Sequence, residues 1–270
     1  MPTAAVNGRD FHYLQRGAGE PLLLIQGMSG TVLAWGDAFL DELARDFAVT
    51  AFDHRGIGLS SRVDEPFTVA DLAADAAALL DALGLERAHV LGISMGGMVA
   101  QELALRLPGR VATLTLGCTY AGGPGSVLTA PEVGNRLAAA WSSGDRERAI
   151  RTAWDVNVSP AFARDEAEYA AFRERALRAR APLAVIALQV QAVGGHDASA
   201  RLGDIGAPTL VIHGDCDEML SVANGRLIAS KIPGARLEIL EGVGHMFWVE
   251  RPRQSAELVR EHAARRPSAA

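Results

Sequence analysis

The stretch that decides the fold is an apolar run that enters a glycine-flanked serine, Ala88-His89-Val90-Leu91-Gly92-Ile93-Ser94-Met95-Gly96-Gly97. A helical stretch, Met95 to Arg106, follows it and stops before Pro108. This strand–turn–helix order is the setting that a Gly-x-Ser-x-Gly nucleophile turn requires. Glycines on both sides of Ser94 permit the sharp turn, because side chains there would collide. The pattern predicts a serine hydroxyl exposed at the carboxyl edge of a sheet; a tight β–α turn without chemistry is the alternative.

Apolar runs of strand length alternate with helical stretches along most of the chain. The runs are continuously apolar, as expected of strands buried on both faces of a parallel sheet. They cover residues 22–25, 48–52, 88–91, 111–116, 209–212 and 236–240. Helical stretches cover residues 69–83, 95–106, 221–231 and 252–265. We therefore predict an α/β fold with a mostly parallel central sheet flanked by helices.

One region interrupts this alternation. Residues from about 129 to 193 contain no convincing strand and predict three or four helices, including 145–155, 165–180 and 182–193. Because crossover connections are usually far shorter, we interpret the region as an all-helical lid over the carboxyl edge of the sheet. Ordinary crossover helices on a sheet face are the alternative. The predicted division is a core domain of residues 1–121 and 203–270 and a lid domain of residues 122–202.

Charge and hydropathy limit the classes of partner. The chain has 26 Lys and Arg residues against 32 Asp and Glu residues and no long basic run, which predicts neither nucleic acid nor membrane as a partner. No stretch approaches the roughly 18 apolar residues of a membrane span, and the N-terminus lacks a signal-peptide pattern. We expect a soluble cytoplasmic protein that binds a small molecule. A homodimer stays open.

The cysteines and the C-terminus carry smaller expectations. Cys118 and Cys216 show no metal-ligand spacing, so we expect two buried, reduced thiols and no disulfide framework. The closing residues 266–270 are expected to fray.

A serine nucleophile needs a base on a neighbouring loop. His245 directly follows the last predicted strand in a glycine-flanked segment, and we predict that it is this base. His213 also ends a strand, but its position before Gly214 is typical of strand–loop packing.

A third group must orient the imidazole and stabilise its charged form. Asp215 and Asp217 both follow the strand at residues 209–212. Asp217 lies further into the loop and is the predicted partner of His245, whereas Asp215 is predicted to fix the turn. Glu218 is expected to be a solvated loop residue. A metal site built from these acids lacks an oxygen-ligand loop pattern, so we predict no metal and no cofactor.

Backbone N–H groups must hold the negative charge that develops during acyl transfer. The N–H of Met95 lies at a helix N-terminus, and the loop after the first predicted strand offers the N–H of Met28, with Gly27 as the alternative. Candidate substrate contacts are Gly27, Trp35, Trp154 and Trp248; packing in the core is the alternative for the tryptophans.

Together these residues resemble the α/β-hydrolase superfamily across nearly the whole chain. The matching segments are Gln26-Gly27-Met28, Asp53 to Ser60, Gly92 to Met98, Gly214 to Asp217, Ile232 to Ala235 and Gly244-His245. Within the superfamily the chain is similar to the lid-bearing serine esterase and enol-lactonase group, which includes aclacinomycin methylesterase-like and 3-oxoadipate enol-lactonase-like enzymes. The resemblance implies hydrolysis of a carboxylic ester or lactone through an acyl-enzyme, with Ser94, Asp217 and His245 as the triad. It also implies that the Asp53 to Ser60 segment is a structural loop.

Two features of the resemblance refine it. Many members have His-Gly where this chain has Gln26-Gly27. A serine at position 94 disfavours haloalkane dehalogenases and epoxide hydrolases of this fold, which use an aspartate there.

Three other functions stay open. A carbon–carbon bond hydrolase would use the same triad on a dienoic keto acid, with Arg136, Arg175 or Arg178 as a carboxylate ligand. A cofactor-free perhydrolase and a non-catalytic small-molecule receptor on a hydrolase scaffold are the others.

Overall fold

A computed structural model describes residues 2–265, and the segment 266–270, expected to fray, lies outside the described residues. The described part forms one eight-stranded sheet with the order β1-β2-β4-β3-β5-β6-β7-β8. The strands are β1 (Thr3–Val6), β2 (Arg9–Arg16), β3 (Glu20–Ile25), β4 (Phe47–Phe52), β5 (Ala88–Ile93), β6 (Val111–Gly117), β7 (Thr209–Gly214) and β8 (Arg236–Leu240). The α-helices are α1 (Asp37–Leu43), α2 (Val69–Ala82), α3 (Met95–Arg106), α4 (Pro131–Ser142), α5 (Arg146–Asn157), α6 (Glu166–Arg178), α7 (Leu183–Gly194), α8 (Val222–Lys231), α9 (Phe247–Glu250) and α10 (Pro252–Ala264).

The parallel part of the sheet confirms the prediction from the apolar runs. Strands β4, β3, β5, β6, β7 and β8 pair in parallel. Every residue of β5, β6 and β7 is buried, whereas β8, at the edge, is mostly half-buried. All carboxyl ends therefore meet at one edge of the sheet, where the loops that follow the strands lie together.

The first two strands form an antiparallel hairpin that the apolar runs did not predict. β1 pairs with β2, and β2 pairs antiparallel with β4. Asn7 and Gly8 turn the hairpin at φ values of 50° and 75°. Two central residues with positive φ match the right-handed twist of the flanking strands, which is why Asn-Gly favours this type of turn.

The core lies on both faces of the sheet. Successive side chains of β3 point in opposite directions, so Leu23 and Ile25 join one apolar cluster and Leu22 and Leu24 join the other. Residues of α2 and α3 cover the first face, and residues of α1 and α10 cover the second. This is the predicted arrangement of helices on both faces of a buried sheet.

The predicted all-helical region is confirmed as the insertion α4–α7 between β6 and β7. We call these four helices and their connections the helical insertion. It contacts the carboxyl edge of the sheet, because Gln189 bonds to the loop after β3 and Asn157 bonds to the segment after β8. The division into domains at residues 121–122 and 202–203 stays a prediction.

Among residues 2–265, no single helix is both long enough and apolar enough to cross a membrane. Helices α6 and α7 together have sufficient length and apolar composition, but they are bent by 103° relative to each other.

Candidate active site

Ser94 lies at a strained turn between β5 and α3. Its φ of 52° and ψ of −125° are a conformation that side-chain-bearing residues rarely adopt, and such strain concentrates at functional sites. A Cβ at Gly92 would lie 2.2 Å from the carbonyl oxygen of Gly96, and one at Gly96 would lie 2.0 Å from that of Ile25. The glycines are thus required as expected, although the collisions they avoid are with backbone atoms rather than with each other's side chains.

His245 and Asp217 are brought together by the loops after β8 and β7. The Nδ1 of His245 lies 2.8 Å from Oδ2 of Asp217, and both side chains are buried. Because the carboxylate only accepts hydrogen bonds, Nδ1 carries the proton and Nε2 is left with a lone pair. A neutral imidazole in this tautomer is able to take a proton from a hydroxyl.

The neighbouring strand β6 connects the turn of Ser94 to this pair. The N–H of Ser94 donates to the carbonyl of Gly117 over 2.9 Å. The next residue, Cys118, has its sulfur within 4.8 Å of ligand atoms of both Asp217 and His245. The sequence-predicted nucleophile, base and acid therefore converge on one edge of the sheet.

Asp217 is held by two backbone donors and two imidazoles. Oδ1 accepts from the N–H groups of Met219 and Leu220 at 2.8 and 2.9 Å, and Oδ2 accepts from His245. Burial alone would raise the pKa of Asp217, but the charges and hydrogen bonds of His245 and His213 outweigh it and hold that pKa well below its usual value. The carboxylate is thus ionised and fixed in orientation.

His213 is a second partner of Asp217 that sequence reasoning placed in ordinary packing. Its Nε2 lies 2.7 Å from the carbonyl of Leu220 and 3.2 Å from Oδ2 of Asp217, and the residue is fully buried. The only sequence signal was its position four residues before Asp217. It therefore contacts both the aspartate and the backbone of the loop that carries it.

The other acids of this loop have structural partners. Asp215 accepts from the N–H of Gly242 over 2.7 Å, so it joins the loops after β7 and β8 rather than fixing its own turn as predicted. Glu218 is solvated and pairs with Arg136. Cys216 is only partly buried, which corrects the expectation of two buried thiols, and both cysteines are free.

The loop after β3 approaches Ser94 closely. A Cβ at Gly27 would lie 3.0 Å from the Cβ and 3.5 Å from the Oγ of Ser94. The N–H of Gly27 donates to Oε1 of Gln26 over 2.8 Å and is already satisfied. Among the described residues, the N–H groups of Met28 and Met95 have no acceptor. This difference favours Met28 over Gly27 as the donor from this loop.

A buried glutamate, which sequence reasoning missed, holds the His245 loop. Glu250 on α9 accepts from the N–H of Gly244, and also from the N–H and hydroxyl of Ser159, at 2.6 to 2.8 Å. A single acid inside the apolar segment Phe247–Glu250 was its only sequence signal. Through it the helical insertion is joined to the residue that precedes His245.

The three tryptophans named as candidate substrate contacts lie in the core. Trp35 stacks on Phe39 and contacts Trp248, whose indole N–H donates to the carbonyl of Ala34. Trp154 is fully buried, and its N–H donates to the carbonyl of Ala163. Their burial favours packing over substrate contact.

The segment from Asp53 to Ser60 is built as a structural loop. Asp53 accepts from the N–H groups of Val32 and Leu59 and lies 2.7 Å from Nδ1 of His12.

A cavity of about 560 Å³ borders this loop and the start of α7. Neither Ser94 nor the His245–Asp217 pair lines that cavity, so we assign it no part of the chemistry.

Comparison with known proteins supplies the family. The model of a family described as having an alpha/beta hydrolase fold matches residues 20–252. The chain belongs to this family. It is a hydrolase by this membership and by the names of its relatives, and the resemblance drawn from its motifs is confirmed.

Three relatives indicate the range of chemistry in this part of the family. The chain is 32% identical to a protein of Azorhizobium caulinodans named "Putative carbamate hydrolase RutD", over 92% of both chains. It is 30% identical to rhodomycin D methylesterase DnrP of Streptomyces peucetius, over 91% of this chain and 92% of that one. It is 31% identical to the 2-hydroxymuconate semialdehyde hydrolase of Pseudomonas sp. strain CF600, over 94% of this chain and 90% of that one.

Solved structures of similar hydrolases superpose on almost the whole chain. A hydrolase from Pseudomonas aeruginosa PA01 has a TM-score of 0.83 at 34% identity, over 97% of each chain. The enol-lactonase from Burkholderia xenovorans LB400 has a TM-score of 0.84 at 26% identity, over 97% of this chain and all of that one.

The arginines considered for a carbon–carbon bond hydrolase differ in their surroundings. Arg136 pairs with Glu218, and Arg178 lies 3.9 Å from Glu174 of its own helix; both are exposed. Arg175 is partly buried near Gly36, and its burial lowers the pKa of its guanidinium. Among residues 2–265, none of the three has a hydrogen bond or ion pair to Asp217 or His245 of the hydrolase.

A set of potential metal ligands coincides with the candidate triad. Cys118, Asp217 and His245 each offer one ligand atom within 4.8 Å of the others. Burial, together with the charge of Asp217, raises the pKa of the Cys118 thiol well above its usual value. A metal requires the thiolate, and the aspartate is already committed to two histidines, so this donor set is poorly suited to a metal.

Proposed function

We propose that this hydrolase cleaves a carboxylic ester or a lactone through an acyl-enzyme formed on Ser94. The observation that carries the proposal is a buried Asp217–His245 pair at the sheet edge where Ser94 lies in a strained strand–helix turn. The N–H groups of Met28 and Met95, without acceptors among the described residues, supply the donors for an oxyanion.

The proposed reaction has two halves. Nε2 of His245 takes the hydroxyl proton of Ser94 as Oγ attacks the carbonyl carbon, and Asp217 stabilises the imidazolium that results. The tetrahedral oxyanion is held by the amides of Met28 and Met95 until His245 protonates the leaving alcohol oxygen and the carbon–oxygen bond breaks. Water then gives a proton to His245 as its oxygen attacks the carbonyl carbon of the acyl-enzyme. The bond from that carbon to Oγ of Ser94 breaks, His245 returns the proton to Oγ, and the acid is released.

The ester or lactone class is supported by relatives named as a methylesterase and an enol-lactonase. The second candidate, a carbon–carbon bond hydrolase, is supported by the relative named as a 2-hydroxymuconate semialdehyde hydrolase. Two of the arginines considered for the keto acid's carboxylate, Arg136 and Arg178, are exposed and lie beside Glu218 and Glu174, which favours the first. A cytoplasmic location and a homodimer stay predictions.

The test is a panel of p-nitrophenyl esters, γ- and δ-lactones and one dienoic keto acid, assayed with wild-type protein and with Ser94→Ala. We expect turnover of esters or lactones by the wild type and none by the variant, with matching circular dichroism spectra. Turnover of the keto acid alone would transfer the assignment to carbon–carbon cleavage. Binding of panel compounds without turnover would favour the receptor.

A further inference from the structure

Gln189 on α7 bonds to the loop that carries the proposed oxyanion donor. Its Oε1 accepts from the backbone N–H of Ser29 over 2.9 Å, across 160 positions of sequence. The side chain is fully buried, and Ser29 has a φ of 62°, which residues with a side chain rarely adopt. A hydrogen bond from a buried side chain thus holds a strained residue directly after Met28.

The bond fixes the direction of the neighbouring amide. Residues 27–30 form a tight turn, closed by a 3.2 Å bond from the N–H of Gly30 to the carbonyl of Gly27. Gln26 holds the N–H of Gly27 at one end of the turn and Gln189 holds that of Ser29 at the other. The N–H of Met28 lies between these two fixed amides and is itself left without an acceptor among the described residues.

We propose that Gln189 is a positioning residue for the oxyanion hole. It touches no reacting atom. By holding Ser29 it keeps the N–H of Met28 directed at the place where the substrate oxygen becomes charged, and so it makes the helical insertion part of the catalytic machinery. The inference rests on the proposed function.

Preorganisation of the Met28 amide is what the bond from Gln189 provides. An oxyanion donor is effective because it is already in place when charge develops, and losing one costs on the order of 10²–10³ in rate. Without Gln189, the N–H of Ser29 would lose its acceptor and the strained turn would be free to relax. Met28 would then be misdirected in part of the population.

The experiment compares Gln189→Met with Gln191→Met, the same substitution at an exposed position of the same helix. With p-nitrophenyl butyrate we expect Gln189→Met to lower kcat by about 10- to 100-fold. This loss is no larger than that expected when an oxyanion donor is removed completely. KM should stay within about twofold, because acylation and deacylation both pass through an oxyanion and slow together. The affinity for a trifluoromethyl ketone, whose serine adduct is an oxyanion, should fall in the same proportion as kcat. Gln191→Met should match the wild type in all three.

A second measurement does not depend on turnover. Amide hydrogen exchange of the segment 26–32 should be faster in Gln189→Met than in the wild type or in Gln191→Met. If Gln189→Met does not fold, Gln189→Asn removes the same bond, because its amide is one methylene shorter.

Three results would overturn the proposal: equal kinetics in the two variants, a rise in KM alone, or unchanged exchange of the segment. A wild-type protein inactive on every ester and lactone would defeat the proposed function. The exchange measurement would then still decide whether Gln189 orders this loop.

Discussion

The Nδ1 of His245 lies 2.8 Å from Oδ2 of Asp217, and the second oxygen of the same carboxylate accepts from two backbone N–H groups. The imidazole is therefore oriented by a carboxylate whose own orientation is fixed by hydrogen bonds from the backbone. Two aspartates two residues apart follow β7, and only one of them contacts the histidine.

The first prediction separates these two aspartates. Asp217→Asn should lower kcat for an ester substrate by about 10⁴-fold, because an amide no longer selects the imidazole tautomer or stabilises its charged form. Asp215→Asn should retain activity, since an asparagine oxygen still accepts from the N–H of Gly242. Steady-state kinetics of both variants tests this, and equal losses would contradict the assignment.

The second prediction concerns the hydrogen bonds that Glu250 accepts from Gly244 and Ser159. Glu250→Ala leaves the buried N–H groups of Gly244 and Ser159 without their acceptor, which should lower the free energy of unfolding by about 3 kcal/mol. Glu257→Ala, at an exposed position of α10, should change it by less than about 0.5 kcal/mol. Urea unfolding of the two variants measures the difference. A Glu250→Ala protein as stable as the control would show that these hydrogen bonds contribute little to the free energy of unfolding.

The third prediction is that the protein loses stability in acid because of His196. Burial lowers the pKa of this histidine to about 4 from 6.5, despite Glu102 nearby, with Arg201 lowering it and Asp197 raising it slightly. Between these values the unfolded chain binds the proton and the folded chain does not, so stability falls as pH falls through this window. From pH 7 to pH 5 the loss should be about 2 kcal/mol.

The measurement is urea unfolding of wild type and His196→Gln at both pH values. The variant should lose about 2 kcal/mol less than the wild type over this range, because it lacks the titrating group. An identical pH dependence in the two proteins would place the titration elsewhere.

The fourth prediction tests the packing of the nucleophile turn. A Cβ at Gly92 would lie 2.2 Å from the carbonyl oxygen of Gly96, so Gly92→Ala should destabilise the protein by more than about 4 kcal/mol or prevent folding. Gly109→Ala, where a Cβ meets no atom within 4 Å, should fold normally. Thermal unfolding of both variants is the measurement; a native-like melting temperature for Gly92→Ala would refute the account of this turn.

The parallel sheet and the helical insertion were predictable because their signals are local. Continuous apolar runs mark β3, β5, β6 and β7, since strands buried on both faces admit few polar residues. The hairpin of β1 and β2 was missed because its residues form no continuous apolar run and many of them are exposed or half-buried. The Asn7-Gly8 pair was the available signal.

The candidate site was predictable as far as it follows strand ends. Ser94 comes directly after β5, and Asp217 and His245 lie in the loops that follow β7 and β8. Parallel strands bring such loops together. Gln189 and Glu250 were not predictable as site residues, because their roles depend on contacts between segments far apart in sequence. His213 lies only four residues before Asp217, but the contact between their side chains depends on the fold of the intervening turn. Nothing in the local sequence shows that Gln189 bonds to Ser29 while Gln191 is exposed.

The most direct test of the central claim is reaction with a fluorophosphonate probe, followed by digestion and mass spectrometry. We predict a single covalent adduct on Ser94, formed much more slowly in Asp217→Asn and lost in Ser94→Ala together with ester turnover. An unlabelled Ser94 in active protein, or full ester turnover by Ser94→Ala, would contradict the account.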